Sequence, residues 1–407
     1  MNGKRFLRKL HLRNFLSYGE DSPSLELEPL NVFIGPNASG KSNLLEAIGL
    51  LSATPRDLVT PIQRGGGVGD WLWKGAPGKE LPVAEIDAVV DCPPDPYRGD
   101  IPLRYRLQFT QVGQRMELVD EAIEDAQRRR DSENDVFFYY RYNHGHPVLN
   151  IKTPKDGERL GYSKRELQRE DLRLDQSVLS QRKDPDQYPE ITYLGEQFGR
   201  IRLYREWNLG RFTPPRLPQP ADAPVDFLME DWSNLGLVLN DLEHRGQRNI
   251  LLAFLNKFYE PIDDISVKVS GGTVQVFLRE RGFGQPIPAT RLSDGTLRFL
   301  CLLAILCHPA PPPVICLEEP ELGMHPDIMP TLAELLLQAA ERTQLFVTTH
   351  SADLVSELTH VPEAVVVCER GPDGSRPRRL EADKLAEWLE RYTLGDLWQM
   401  GELGGTA

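Results

Sequence analysis

The sequence predicts an α/β fold: a mixed sheet flanked by helices, with an antiparallel β subdomain and a helical insertion between its two halves. Three observations carry this. Val32-Phe33-Ile34 is a short buried strand that breaks at Gly35, and a helix opens at Asn43-Leu-Leu-Glu-Ala-Ile48. Val314-Ile-Cys-Leu317 and Leu345-Phe-Val347 are apolar runs of strand length ending in polar residues, the pattern of buried strands. Residues 82–91, 101–110 and 114–119 instead alternate apolar and polar with turn residues between them, the pattern of antiparallel strands.

The first of these runs carries chemistry. Gly35-Pro36-Asn37-Ala38-Ser39-Gly40-Lys41-Ser42 has the spacing Gly-x-x-x-x-Gly-Lys-Ser between a strand and a helix, the context of a phosphate-binding loop. Glycines let the backbone curl so that several N–H groups converge on an anion at a helix N-terminus, where the dipole also favours negative charge. Lys41 is expected to reach the β- and γ-phosphates of a bound nucleotide, and the Ser42 hydroxyl to take a place on Mg²⁺, with Asn43 closing the loop. The chain is therefore read as a P-loop NTPase with a nucleoside triphosphate and Mg²⁺ as its ligands.

Bulk properties limit the alternatives. The 407 residues suffice for one large α/β domain with an insertion, or for two domains. Lys and Arg number 47 against 60 Asp and Glu, a formal charge of −13, which weighs against a chain that wraps nucleic acid by itself but leaves a local basic groove open. Cys92, Cys301, Cys307, Cys316 and Cys368 lack metal-ligand spacing and read as free thiols in a reducing compartment. The start Met1-Asn-Gly-Lys-Arg has no apolar core behind it, and no apolar run approaches 18 residues, so a soluble cytoplasmic protein with no membrane partner is expected.

In chain order, residues 5–13 alternate with period two as a half-buried strand, Asn14–Tyr18 turns, and Ser24–Leu27 returns as a strand. Thr60–Gly67 reads as a flexible glycine-rich loop carrying Arg64. Residues 121–134 are mostly charged and read as an exposed helix and loop, with Arg128-Arg129-Arg130 on a solvated face. Short helices are expected around 164–171 and 186–197, a strand at Ile201–Tyr204, a proline-rich connector over Thr213–Pro220, helices over 226–244 and 248–259, and a hairpin at 265–269 and 273–278. About 250 residues separate Lys41 from Ser293, and no heptad pattern is sustained in them, so no long coiled coil is expected. The organisation that follows is one head over 1–407: an N-terminal lobe (1–120), an insertion (121–245) and a C-terminal lobe (246–407).

Leu12-Arg-Asn-Phe-Leu-Ser-Tyr18 followed by Asn31-Val-Phe-Ile-Gly-Pro-Asn-Ala-Ser-Gly-Lys-Ser-Asn43 resembles the N-terminus of the SMC/RecF group of ABC-type ATPases. The C-terminal third continues the resemblance. Ser293-Asp294-Gly295 opens an apolar helix, where a hydroxyl and free N–H groups make an anion site, and it is similar to the family's signature motif. Val314–Glu319 resembles a Walker B strand, although Glu318-Glu319 stands where the family usually has Asp-Glu. By that resemblance Glu318 holds Mg²⁺ and Glu319 is the general base for the attacking water. Gln344–His350 is a strand ending in the histidine that the family uses to sense the γ-phosphate. The resemblance also nominates Arg64, near nucleotide or DNA, and either Gln176 or Gln181 as the glutamine that reaches Mg²⁺ from the other lobe.

Glu-Glu-Pro-Glu-x-Gly-x-His-Pro over 318–326 and the short middle resemble the ATPases of OLD-like and RecF-like bacterial proteins, several of them associated with DNA repair or phage defence. Fewer than 50 residues follow the strand expected at 364–369, too few for the nuclease domain of OLD proteins, so a nuclease, if involved, is expected on a partner protein. The resemblance implies an ATP-dependent homodimer in which Ser293 and Gly295 of one copy complete the site of the other. Two rivals stand beside it: the nucleotide-binding subunit of an ABC transporter, and a regulatory subunit that binds ATP without hydrolysing it.

Overall fold

The computed structural model describes residues 3–75, 82–96, 98–129, 136–143, 145–153, 161–168 and 172–404. Its centre is a six-stranded sheet in the order Arg202–Tyr204, Val314–Glu318, Gln344–Thr348, Leu30–Ile34, Val365–Gly371, Gly374–Arg379. The first five strands run parallel and the last antiparallel. Both faces are covered, which is why these strands read as continuous apolar runs.

Alternation along each strand divides the interior in two. Val32, Ile34, Ile315, Leu317, Leu345 and Val347 face one core with the helices Asp294–Leu306 and Met329–Ala340. Phe33, Val314, Cys316, Phe346, Val366 and Cys368 face the other, with the helices Lys41–Ala53 and Pro189–Arg200. The period of two thus sends the phosphate-loop helix and the helix that opens at Ser293 to opposite sides of one sheet.

The second core is closed by an eight-stranded antiparallel sheet in the order Leu25–Glu26, Leu7–Arg13, Ala84–Val90, Leu103–Val112, Arg115–Asp125, Phe138–Asn143, His146–Thr153, Gly161–Glu166. One side chain bolts it to the central sheet. Gln344, fully buried, accepts from the N–H groups of Leu7 (2.7 Å) and Phe6 (3.2 Å), and donates to the carbonyls of Leu7 (2.7 Å) and Glu28 (3.0 Å). A smaller sheet is built on the hairpin of Ile262–Ser270 and Thr273–Glu280. Among the described residues the longest helices have 13 residues, so no long coiled coil is present.

Four local expectations are corrected. Residues 121–125 are not an exposed helix but the end of the strand Arg115–Asp125, with Glu121 to Asp125 all buried; the acids are there to be paired. Gly161–Glu166 is an edge strand rather than the start of a helix. The helix expected over 226–244 begins only at Leu235, because residues 226–234 form turns in which Trp232 adopts a positive φ of 65°. Thr60–Gly67 is mostly helix (Val59–Arg64). Arg130, residues 131–134 and residues 169–171 of these expectations lie outside the described residues.

Glu121 shows what a charged-looking stretch can hide. Its carboxylate, 1% exposed, accepts from the Tyr105 hydroxyl (2.8 Å), Ser177 Oγ (2.5 Å) and Val178 N–H (2.9 Å), tying the antiparallel sheet to the segment before Pro189–Arg200. Burial outweighs those three donors and lifts the carboxyl to about 7 from 4.5. A raised carboxyl favours the protonated native state, so its contribution is fully present below 4.5 and is lost as pH rises through about 7. We expect the unfolding free energy to fall by about 3 kcal/mol between pH 5 and pH 8 from this group. Glu121→Gln should flatten that part of the profile in denaturant titrations, whatever its own stability.

Candidate functional site

Parallel register brings three strand ends together. Gln344–Thr348 lies between the other two, with Thr348 opposite both Phe33 and Glu318. The phosphate loop, the acidic pair and His350 therefore emerge side by side at the carboxyl edge of the sheet. That is where open α/β sheets bind ligands.

The loop is shaped by its neighbours. Gly35 has φ +137°, and a Cβ there would stand 2.2 Å from the Cys368 carbonyl oxygen. Gly40 has φ +102° and caps the helix Lys41–Ala53; a Cβ on it would stand 2.4 Å from Ser375 Oγ. Ala38 takes the left-handed conformation as well, with φ 62°. The turn Asn14–Tyr18 supports this loop from below: the buried Tyr18 hydroxyl donates to the Gly40 carbonyl (3.0 Å), and Ser17 Oγ accepts from Asn43 (2.7 Å) and Ser375 (2.7 Å).

Inside the loop, Lys41 Nζ donates to the carbonyls of Gly35 (2.7 Å) and Pro36 (3.0 Å). Burial lowers its pKa, partly offset by the carboxylates of Glu319 and Glu318. Ser39 Oγ is buried with no hydrogen-bond partner among the described residues, while Asn37 and Ala38 are exposed at the loop's crown. Ser42 Oγ donates to Glu318 Oε1 at 2.5 Å, so the two oxygens expected on Mg²⁺ already adjoin. A backbone cradle with glycine required at both ends, an orphan hydroxyl and a paired hydroxyl and carboxylate fit a nucleotide phosphate with its divalent ion.

Glu319 follows the strand with φ 45°, held by its N–H to the Thr348 carbonyl (3.0 Å). Its Oε1 lies 3.8 Å from His350 Nε2, and both side chains are about one-third exposed, 37% each. Burial first, then the Lys41 ammonium, lowers the His350 pKa against the pull of Glu319, which favours a neutral imidazole beside the carboxylate.

Ser293 caps the helix Asp294–Leu306, accepting from the Thr296 N–H at 3.1 Å. Asp294 is exposed and pairs with Arg216, a buried residue that also donates to the carbonyls of Leu209 (2.6 Å), Leu292 (2.6 Å) and Ala289 (3.2 Å). A Cβ on Gly295 would stand 3.2 Å from the Gly323 carbonyl, which places this turn beside the loop after Glu319. The hydrogen bonds of Ser293 and Asp294 thus run away from the phosphate loop of the same chain.

Arg64 ends its helix exposed, in a cleft of about 640 Å³ shared with Gly49, Ser52 and Ala53 from the far half of the phosphate-loop helix. That is about 15 Å along the axis from Ser42 at 1.5 Å per residue. Gln176 is spent on the Leu58 N–H (3.0 Å) and Asp57 (2.8 Å), bracing the segment after that helix, and Gln181 on the Arg173 N–H (2.8 Å) and the Gln176 carbonyl (2.9 Å) of its own segment.

Sequence reasoning missed several residues of the site. Trp207 Nε1 donates to the Glu318 carbonyl (2.7 Å), and Arg298 Nη1 to the Glu319 carbonyl (3.3 Å), with the Arg298 guanidinium 4.8 Å over the Trp207 ring. The only signal for Arg298 was a cation in the second turn of a helix that is apolar from Leu297 onward apart from it. Trp207 had none.

This arrangement defines a P-loop ATPase of the ABC type with an SMC/RecF-like head. The family profile AAA_21, an AAA domain whose description names the AbiEii toxin and type IV toxin–antitoxin systems, matches residues 30–356, and the chain belongs to that family. The chain is similar to the DNA replication and repair protein RecF of Thermosynechococcus vestitus, 51% identical over 43 residues, 11% of either chain. It is 52% identical over 50 residues to RecF of Streptococcus uberis, 12% of this chain and 13% of that one. The chain thus spans little more than a tenth of the length of these curated relatives. Among solved structures, an Smc head bound to the C-winged helix domain of ScpA shares the fold, with TM-score 0.58 and 13% identity over 94% of this chain and 100% of that one. An Smc head from Pyrococcus furiosus bound to the C-terminal domain of ScpA does so with TM-score 0.53 and 13% identity, covering 95% and 98%.

Gly40→Ala tests the cradle. A side chain at that φ, against Ser375, should cost about 1–3 kcal/mol in denaturant titration. It should also weaken binding of a fluorescent ATP analogue at least about tenfold, one tenfold step being 1.4 kcal/mol. Wild-type affinity in a folded variant would show that the loop shape is not needed.

Proposed function

We propose that this chain binds and hydrolyses ATP, dimerising around the nucleotide to drive or regulate a partner protein. The observation that carries this is the convergence of Lys41, the Ser42–Glu318 pair, Glu319 and His350 at three adjacent strand ends. Backbone N–H groups of residues 37–42 and the Lys41 ammonium bind the phosphates, and Ser42 and Glu318 would hold Mg²⁺. When bound, Mg²⁺ neutralises charge that builds on the phosphate oxygens. Glu319 accepts the proton of the attacking water, and His350 donates a hydrogen bond to the γ-phosphate. Trp207 and Arg298 hold the two carbonyls of the acidic pair and so fix where its side chains start.

Dimerisation is supported by the placement of Ser293–Gly295 beside Gly323 and by the exposure of Ser293 and Asp294. In this reading the turn serves the phosphate loop of a second copy, and ATP holds the two together. The local similarity to RecF and the toxin–antitoxin description of the family favour a role in DNA repair or phage defence, with a nuclease among the candidate partners. The acidic balance of −13 favours a protein client over direct wrapping of DNA. Among the described residues no helix is long and apolar enough to cross a membrane.

Glu319→Gln should cut ATP turnover at least about 100-fold, the range of general-base removal, and leave ATP affinity within about threefold. Light scattering of that variant in Mg·ATP should report a dimer. Equal turnover by the two proteins sinks the catalytic role of Glu319, and a persistent monomer sinks the dimer. Tight ATP binding with no turnover in the wild type would instead favour the regulatory subunit.

A further inference from the structure

We propose that Glu321 is a positioning residue for this reaction: its carboxylate sets the main chain of Thr349 and His350, and so fixes where the imidazole meets the terminal phosphate of ATP. The inference rests on the ATPase reading above and adds to it a residue outside the acidic pair. Glu321 lies two residues beyond Glu319, in a turn closed by the Leu322 N–H to the Glu319 carbonyl (3.2 Å) and the Met324 N–H to the Glu321 carbonyl (3.0 Å). From there it crosses to the neighbouring strand end. Oε1 accepts from Thr349 Oγ1 at 2.5 Å and from the His350 N–H at 3.2 Å. Thr349 Oγ1 in turn accepts from the Ser351 N–H at 3.0 Å. The peptide groups on both sides of His350 are thereby tied, and its ring is left to move about its own side-chain torsions.

The carboxylate is an expensive way to make such a tie. Glu321 is 9% exposed, and its Oε2 is buried without a hydrogen-bond partner among the described residues. Burial raises its pKa, and the carboxylate of Glu319 acts in the same direction. Arg298 is the cation that feels Glu321 most among its charged neighbours, and its own guanidinium is held at the Glu319 carbonyl. A buried acid with one oxygen unmatched lowers stability. Its place is between the general base and the histidine, so that whatever moves the turn at Glu319 also moves His350.

The test is binding, which does not require turnover. Affinities for adenylyl imidodiphosphate and for ADP, both with Mg²⁺, are measured for the wild type, Glu321→Ala, His350→Ala, the double variant, Glu321→Gln and Thr349→Val, each checked by thermal melting. Glu321→Ala should reduce the preference for the triphosphate analogue by about tenfold, the scale of one lost charge-assisted hydrogen bond. His350→Ala should do the same, and the double variant no worse than either, because the two act as one unit. Glu321→Gln keeps the Oε1 acceptor and should retain the preference within about twofold, whereas Thr349→Val, lacking one donor, should lose part of it. An unchanged preference in folded Glu321→Ala, or a loss that adds to that of His350→Ala, overturns the inference. Should Glu321→Ala not fold, an unchanged preference in Thr349→Val overturns it instead. A wild type that binds neither nucleotide overturns the ATPase reading and this inference together, while normal nucleotide binding with indifferent variants overturns the inference alone.

Discussion

The structure depends on one five-residue strand, Gln344–Thr348. It is fully buried, pairs in parallel with both the phosphate-loop strand and the strand that ends in Glu318, and so sets the spacing between the nucleotide cradle and its acids. Its first residue, Gln344, fastens the antiparallel sheet through four hydrogen bonds, and its last, Thr348, receives the N–H of Glu319. Scaffold and site are thus two ends of the same strand. A polar group so deep is tolerated because each of its donors and acceptors is matched, and losing one partner would leave main-chain groups stranded.

Much of this was legible from local sequence. The loop Gly35–Ser42, the strand ending in Glu318-Glu319, and His350 are each specified within about ten residues, and apolar runs without alternation indicated buried strands, which the structure places in one sheet covered on both faces. What was not legible is long-range. Trp207 reaches Glu318 across 111 positions, and Gln344 reaches Leu7 across 337, with nothing in either neighbourhood to announce it. The stretch 121–125 was misread for a different reason. Acid density suggested solvent, yet Glu121 and Asp125 are buried against Tyr105 and Tyr139, and Glu124 against Arg104 and Arg141.

The same pairing explains how an acidic chain carries so many arginines on one sheet. Along the antiparallel strands Arg104 meets Asp87 and Glu124, Arg106 meets Asp120, and Arg141 meets Glu124. These cross-strand charges are matched with one another, which fits a sheet whose outward face serves folding rather than the binding of a polyanion.

The positive φ of Glu319 has a consequence for how the protein can evolve. A glutamate at φ 45° sits in a region that side chains avoid, at a cost on the order of 1–2 kcal/mol, and glycine at that position would relieve it. Selection for stability alone would therefore erode the position toward glycine. An acid at this position therefore costs conformational stability that a glycine would return, a trade made at a single residue.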